Sequence, residues 1–212
     1  MNYTTIVMSG LLCTIPYKQD FDCNVDPKDD DDKDDDDKDD DDKDDDDKDE
    51  LYWAEGPQVN VPVEDLVGWS ECFANLYSES EPGLTQDILG QDCTGSKLLM
   101  ACRPVGADTF QLLAMGERAD VLFDTGAQPN GTHEANGVAW YFSADFSWGF
   151  AAAGDAVNRS TCDSVGNGPE TNSDLRLCWH TGSDQIRGGW RCGDDDLLND
   201  SNAFERFIFE AD

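Results

Sequence analysis

Beyond residue 66 the apolar residues fall into short runs of about five to seven positions, separated by Gly, Pro, Asn or Asp in the manner of strands and turns. Val67, Trp69 and Phe73 alternate with polar neighbours, as a half-buried strand would at the start of a folded domain. Strand-like runs follow at 97–103, 109–114, 119–124, 137–142, 147–151, 175–180, 188–192 and 204–210. One helical signal interrupts them: Gly83–Gly90 places Leu84, Ile88 and Leu89 on one side and ends in glycine. This density of short strands predicts an all-β fold, a sandwich or irregular barrel with one short helix.

Upstream the pattern changes three times. Thr4–Ile15 is uncharged and fairly apolar, which suits a signal-peptide core, although no basic residue precedes it; residues 1–27 are read as a leader. It is too short to span a bilayer. Residues 28–50 contain four perfect copies of Asp-Asp-Asp-Asp-Lys, with no apolar face for a helix or strand, and read as a hydrated, disordered spacer. The unit resembles the activation peptide of trypsinogens, but Asp follows each lysine where the zymogens place an apolar residue. Residues 51–66 regain Trp53, Val59, Val61 and Val63, with Pro57 and Pro62 limiting them to a linker or one edge strand. The domain proper is expected at 67–212.

Six cysteines lie between Cys72 and Cys192, an even number that reads as a disulfide framework made for an extracellular or cell-surface setting. The local pattern suggests one pair, Cys178–Cys192, facing each other across a hairpin through 182–186. Asn2, Asn130, Asn158 and Asn199 begin glycosylation sequons, which point the same way. The sequence lacks Cys-x-x-Cys and contains only His133 and His180, so a zinc site or a histidine-based triad is poorly supplied.

The formal net charge is −33. Residues 67–212 hold one lysine and seven scattered arginines against 23 acids, which argues against nucleic acid as a partner. Asp194, Asp195, Asp196, Asn199 and Asp200 offer hard oxygen ligands in one stretch, though not in EF-hand order. Calcium is therefore the one cofactor candidate, in a loop of the kind calcium-dependent lectins use. Trp148, Trp190 and Asn136 are the matching candidates for contacting a carbohydrate, with Asn167 and Asn172 as further hydrogen-bonding groups. Core packing is the competing role for Trp140, Trp148, Trp179 and Trp190.

Val121–Ala127 resembles the active-site strand and turn of aspartic proteases: apolar residues, then Asp124-Thr125-Gly126 and a small residue. The resemblance implies a shared-proton carboxylate pair, and with one copy per chain only a homodimer of the retroviral type would complete it. Otherwise Asp124 and Gly126 serve a turn that continues through Gln128–Gly131. Three functions remain as expectations. The leading one is a secreted, non-enzymatic recognition or adhesion module for a carbohydrate or an extracellular protein. The others are a dimeric aspartic peptidase centred on Asp124 and an acidic, cation-binding matrix protein.

Overall fold

A computed structural model describes residues 4–8, 11–15, 50–126, 128–159, 162–163 and 172–212, the first two segments as backbone only. The acidic repeat, Asn2, Cys23 and Asn167 lie outside the described residues, so their expected roles do too. Strands β1 (Thr4–Met8) and β2 (Leu11–Ile15) form an antiparallel hairpin within a separate N-terminal unit.

The larger unit is all-β, with two antiparallel sheets. Its strands are β3 (Gln58–Pro62), β4 (Ser70–Leu76), β5 (Glu81–Pro82), β6 (Lys97–Pro104), β7 (Thr109–Glu117), β8 (His133–Ala135), β9 (Val138–Phe142), β10 (Ser147–Ala152), β11 (Leu177–Thr181), β12 (Gln185–Cys192) and β13 (Phe204–Ala211). One sheet has the order β3-β7-β6-β13-β4, the other β5-β12-β11-β10-β9-β8. β3 occupies an edge, where Pro62 can be accommodated without breaking an interior ladder.

Between the sheets lies a core in which Leu98, Met100, Cys102, Leu112 and Ile208 meet Trp140, Trp148, Phe150, Leu177 and Trp179. The opposite faces are covered as well. Val61, Leu66 and Trp69, from the segment that precedes and includes the start of the expected domain, pack with Leu99, Ala101, Phe110, Phe207 and Phe209. Beyond the six-stranded sheet, Val157 and Cys162 pack on Ala139, Tyr141, Ala151 and Cys178. Two-sided burial makes Leu98–Cys102 a continuous apolar run, unlike a sheet with one wet face.

The helix spans Leu84–Asp92 and is wound with wide i→i+5 hydrogen bonds, including Ile88 N–H to Gly83 O and Cys93 N–H to Ile88 O. It buries Leu84, Ile88 and Leu89, and the Cys72–Cys93 disulfide anchors its end to β4. The expected strand at 119–124 is instead a one-turn helix, α1 (Arg118–Val121), and a turn. Arg118 explains the departure: its guanidinium donates to the carbonyls of Leu89 and Cys93 at the end of the wide helix, while its backbone N–H reaches Ser96 O.

The disulfides are Cys72–Cys93, Cys102–Cys192 and Cys162–Cys178. The expected Cys178–Cys192 bridge is therefore wrong, and strand parity gives the reason. Leu177 pairs with Cys192 while Cys178 pairs with Arg191, so the two cysteines point to opposite faces of the same hairpin. Cys192 crosses the inter-sheet core to Cys102 on β6, whereas Cys178 fastens the outer segment at Cys162.

Candidate binding cleft

Of the residues singled out from sequence, Asn199 and Asp200 share one cleft, Trp190 adjoins it, and the others do not line it. Trp148 is fully buried between the sheets, edge-to-face with Trp179 at 5.5 Å and Phe142 at 5.6 Å, so it is a core plate and cannot touch a ligand. Asn136 adopts a left-handed backbone (φ 50°) at the β8–β9 turn. Its amide donates to Ala54 O at 2.8 Å and Met115 O at 3.0 Å, tying the incoming chain to β7. Asn172 spends its amide on the Asp155 carboxylate.

Asp194, Asp195 and Asp196 are exposed; Asp194 accepts from the Ser173 hydroxyl, and Asp195 accepts from Gln111 Nε2 at 2.8 Å. Among the described residues no group of three or more His, Cys, Asp or Glu side chains is placed to hold a metal ion. Among the described residues, then, the carboxylates of 194–200 do not gather into such a group.

Asp124-Thr125-Gly126 forms a self-contained turn. The Asp124 carboxylate accepts from Gly126 N–H at 2.7 Å, and the Thr125 hydroxyl donates to Phe142 O at 3.1 Å. Arg159, almost wholly buried, grips the same turn through Thr125 Oγ1, Gly126 O and Gln128 O. In the dyad arrangement the threonine hydroxyl would bond across to a second copy of the loop; here it is occupied within its own chain. His133 pairs with Asp120 at 2.7 Å and stacks on Phe123 at 4.3 Å.

One group of residues does come together. Ser78, Ser80, His180, Thr181, Arg187, Gly188, Asn199 and Asp200 wall a polar cleft of about 360 Å³. Three parts of the chain form it: the segment after β4, the adjacent β11 and β12, and a 3-10 turn at Leu198–Asp200.

Gly188 and Gly189 permit this approach. A Cβ at Gly188 would lie 2.7 Å from Asn199 O, and one at Gly189 would lie 2.1 Å from Tyr77 Cδ1. Tyr77 is fully buried on Gly189, accepts its N–H at the backbone carbonyl and donates its hydroxyl to Arg191 O at 3.0 Å. Ser78 is fixed to the third wall through Ser201 O and Asn202 Oδ1.

Beneath the cleft, Arg206 is buried and joins two walls. Its guanidinium donates to Glu79 O, to the carbonyl of Arg187 and to Asn75 Oδ1, and it lies 5.6 Å from the Trp179 ring. Burial pulls its pKa down to about 10, still well above neutrality, so the guanidinium stays charged and its donors stay available.

His180 sits on the outer face of the six-stranded sheet, edge-to-face with the half-buried Trp190 at 6.1 Å. Trp190 is therefore the one sequence-predicted aromatic that adjoins the cleft. Burial, with the neighbouring Arg187 guanidinium, holds the His180 imidazole below the ordinary histidine range, so it is neutral at pH 7. No hydrogen bond joins His180 to a serine hydroxyl or a carboxylate among the described residues, so the cleft holds no formed nucleophile–base pair.

Ser78, Ser80, Thr181 and Arg187 were not singled out by sequence. The Gly188-Gly189 pair inside a strand was the available signal, because consecutive glycines there mark a close approach of other chain segments. No helix among the described residues is long and apolar enough to cross a membrane. No protein-family model matches the chain, and no curated protein or solved structure matches it significantly.

Proposed function

We propose that this domain is an extracellular, non-enzymatic recognition module that binds carbohydrate in the cleft between Ser78–Ser80, β11–β12 and Leu198–Asp200. The observation that carries the reading is the composition of the cleft wall. It brings three hydroxyls, an amide, an imidazole, a guanidinium and a carboxylate into about 360 Å³, on segments braced by Tyr77 and Arg206. A saccharide presents alternating donors and acceptors, which suit a dense set of mixed polar groups, while Trp190 beside His180 supplies an aromatic flank. Three disulfides support an oxidising, extracellular setting.

Ser80 is exposed at the cleft, so Ser80→Trp can fill it without entering the core. On a glycan array the native protein is expected to bind a defined subset of saccharides, and the Ser80→Trp protein to lose at least about tenfold in affinity, equivalent to ~1.4 kcal/mol. Its thermal midpoint should remain that of the native protein. Undiminished binding by Ser80→Trp, or no saccharide bound by the native protein, would remove the proposal.

A further inference from the structure

We infer that the cleft selects an acidic saccharide, one whose carboxylate or sulfate group seats against Arg187; this rests on the carbohydrate reading above. The basis is an inventory of the cations of residues 67–212. Arg103 is paired with Glu205, Arg176 with Asp155 and Asp163, and Arg191 is bonded to the carbonyls of Gly193 and Asp163. Arg118, Arg159 and Arg206 are each tied to two or more backbone or side-chain acceptors. Lys97 lies on β6, with its ammonium 3.4 Å from the Ser96 hydroxyl.

Among the described residues, Arg187 is the arginine whose guanidinium has no hydrogen-bond or carboxylate partner, and it lines the cleft. It lies against Gly182, where the missing side chain leaves the guanidinium room: a Cβ there would come within 3.1–3.2 Å of its Cζ and nitrogens. A planar guanidinium with its donors unused matches a carboxylate or sulfate oxygen pair.

The rest of the wall suits the remainder of such a ligand. Asp200 offers acceptors to sugar hydroxyls and Ser80 a hydroxyl, while Ser78 and Thr181, which donate to Asn202 Oδ1 and Ser143 O, present their oxygens as acceptors. His180 adds a proton-linked contribution. The charged groups that line the cleft with it are Arg187 on β12 and Asp200 on the 3-10 turn. Burial is the larger cause of the lowered His180 pKa and the Arg187 charge the lesser; an anion on Arg187 offsets the lesser one, so binding favours the protonated imidazole and tightens as the pH falls below 7.

The overall charge of −33 makes general attraction of polyanions unfavourable, so any acidic ligand that binds must do so through local contacts.

The test is calorimetric titration of the full chain with three oligosaccharides of equal length: a neutral galactan, an oligogalacturonate and a sulfated galactan. At least one acidic ligand should bind tenfold or more tighter than the neutral one, which also identifies carboxylate or sulfate as the group recognised. Arg187→Gln should remove that preference by lowering affinity for the acidic ligand tenfold or more and for the neutral ligand far less, with the thermal midpoint unchanged. Acidic binding should weaken between 50 and 300 mM salt, and should strengthen from pH 7 to 6 in the native protein but not in His180→Gln. Equal or tighter binding of the neutral ligand, or a preference that survives in Arg187→Gln, overturns the acidic inference and leaves the carbohydrate reading intact. Failure of all three ligands, together with an array that shows no saccharide bound, overturns both.

Discussion

Replacing Cys102 and Cys192 together by alanine will lower the unfolding free energy by about 4–5 kcal/mol, the largest loss among the three bridges. The bridge spans 90 residues, against 21 for Cys72–Cys93 and 16 for Cys162–Cys178, and closing a longer loop removes more freedom from the unfolded chain. For Cys162–Cys178 the same reasoning gives roughly 3 kcal/mol. Cys102–Cys192 is also the bridge that joins the two sheets, and both sulfurs lie in the central core, so its removal leaves poorly filled space where packing is dense. Urea denaturation of the three double variants would check the order. Should the Cys162–Cys178 variant prove the least stable, loop length would not be what governs their ranking.

Trp148→Ala will cost about 3–5 kcal/mol, whereas Trp190→Ala will cost no more than about 2 kcal/mol. Both tryptophans lie in glycine-containing strands, yet their surroundings differ. Trp148 is fully buried, with Trp179 and Phe142 packed edge-to-face on it, and its loss would open a cavity that rigid strands on both sides cannot close. Trp190 is only partly buried, so its removal exposes little and leaves the inter-sheet core filled. Binding should show the reverse order: Trp190→Ala weakens saccharide affinity in a protein that still folds, while the Trp148→Ala defect is one of stability. Equal destabilisation by the two, measured by urea unfolding, would contradict this division of roles.

Much of the fold could be read from the chain because turn residues punctuate it. The runs at 97–103, 109–114, 137–142, 147–151 and 204–210 became β6, β7, β9, β10 and β13, and the edge-strand option for 51–66 became β3. The helix signal at Gly83–Gly90 also corresponds to a helix, although its i→i+5 winding was not expected. What failed was anything that required knowing which face of a strand points inward. Alternation reports this when one face is wet, but here both faces of each sheet are covered, so Cys178 and Cys192, or Trp148 and Trp190, look equivalent in sequence. The strand expected at 119–124 was lost to Arg118, whose partners Leu89 and Cys93 are more than twenty residues away.

The cleft was largely hidden for a related reason. Ser78, His180 and Arg187 carry no motif of their own, and Asn199 stood out only as a sequon and a candidate calcium ligand. Arg187 and Arg206 are both arginines in strands, yet one presents its guanidinium to the cleft and the other buries it beneath. Asn199 and Asp200, expected as calcium ligands, were the residues of the cleft that the sequence singled out, and the double glycine at 188–189 marks close packing rather than a ligand.

The outer layer supplied by Leu51–Trp69 bears on where this polypeptide can be shortened. Trimming it to begin at Val67 would strip Val61 and Leu66 from Phe110, Phe207 and Phe209, leaving those rings open to water. The same cut removes β3 and leaves β7 as a bare rim able to recruit a neighbouring molecule. A shortened form meant to be free of the acidic repeat therefore keeps this cover only if the cut falls before Leu51, and self-association is the expected consequence of cutting later.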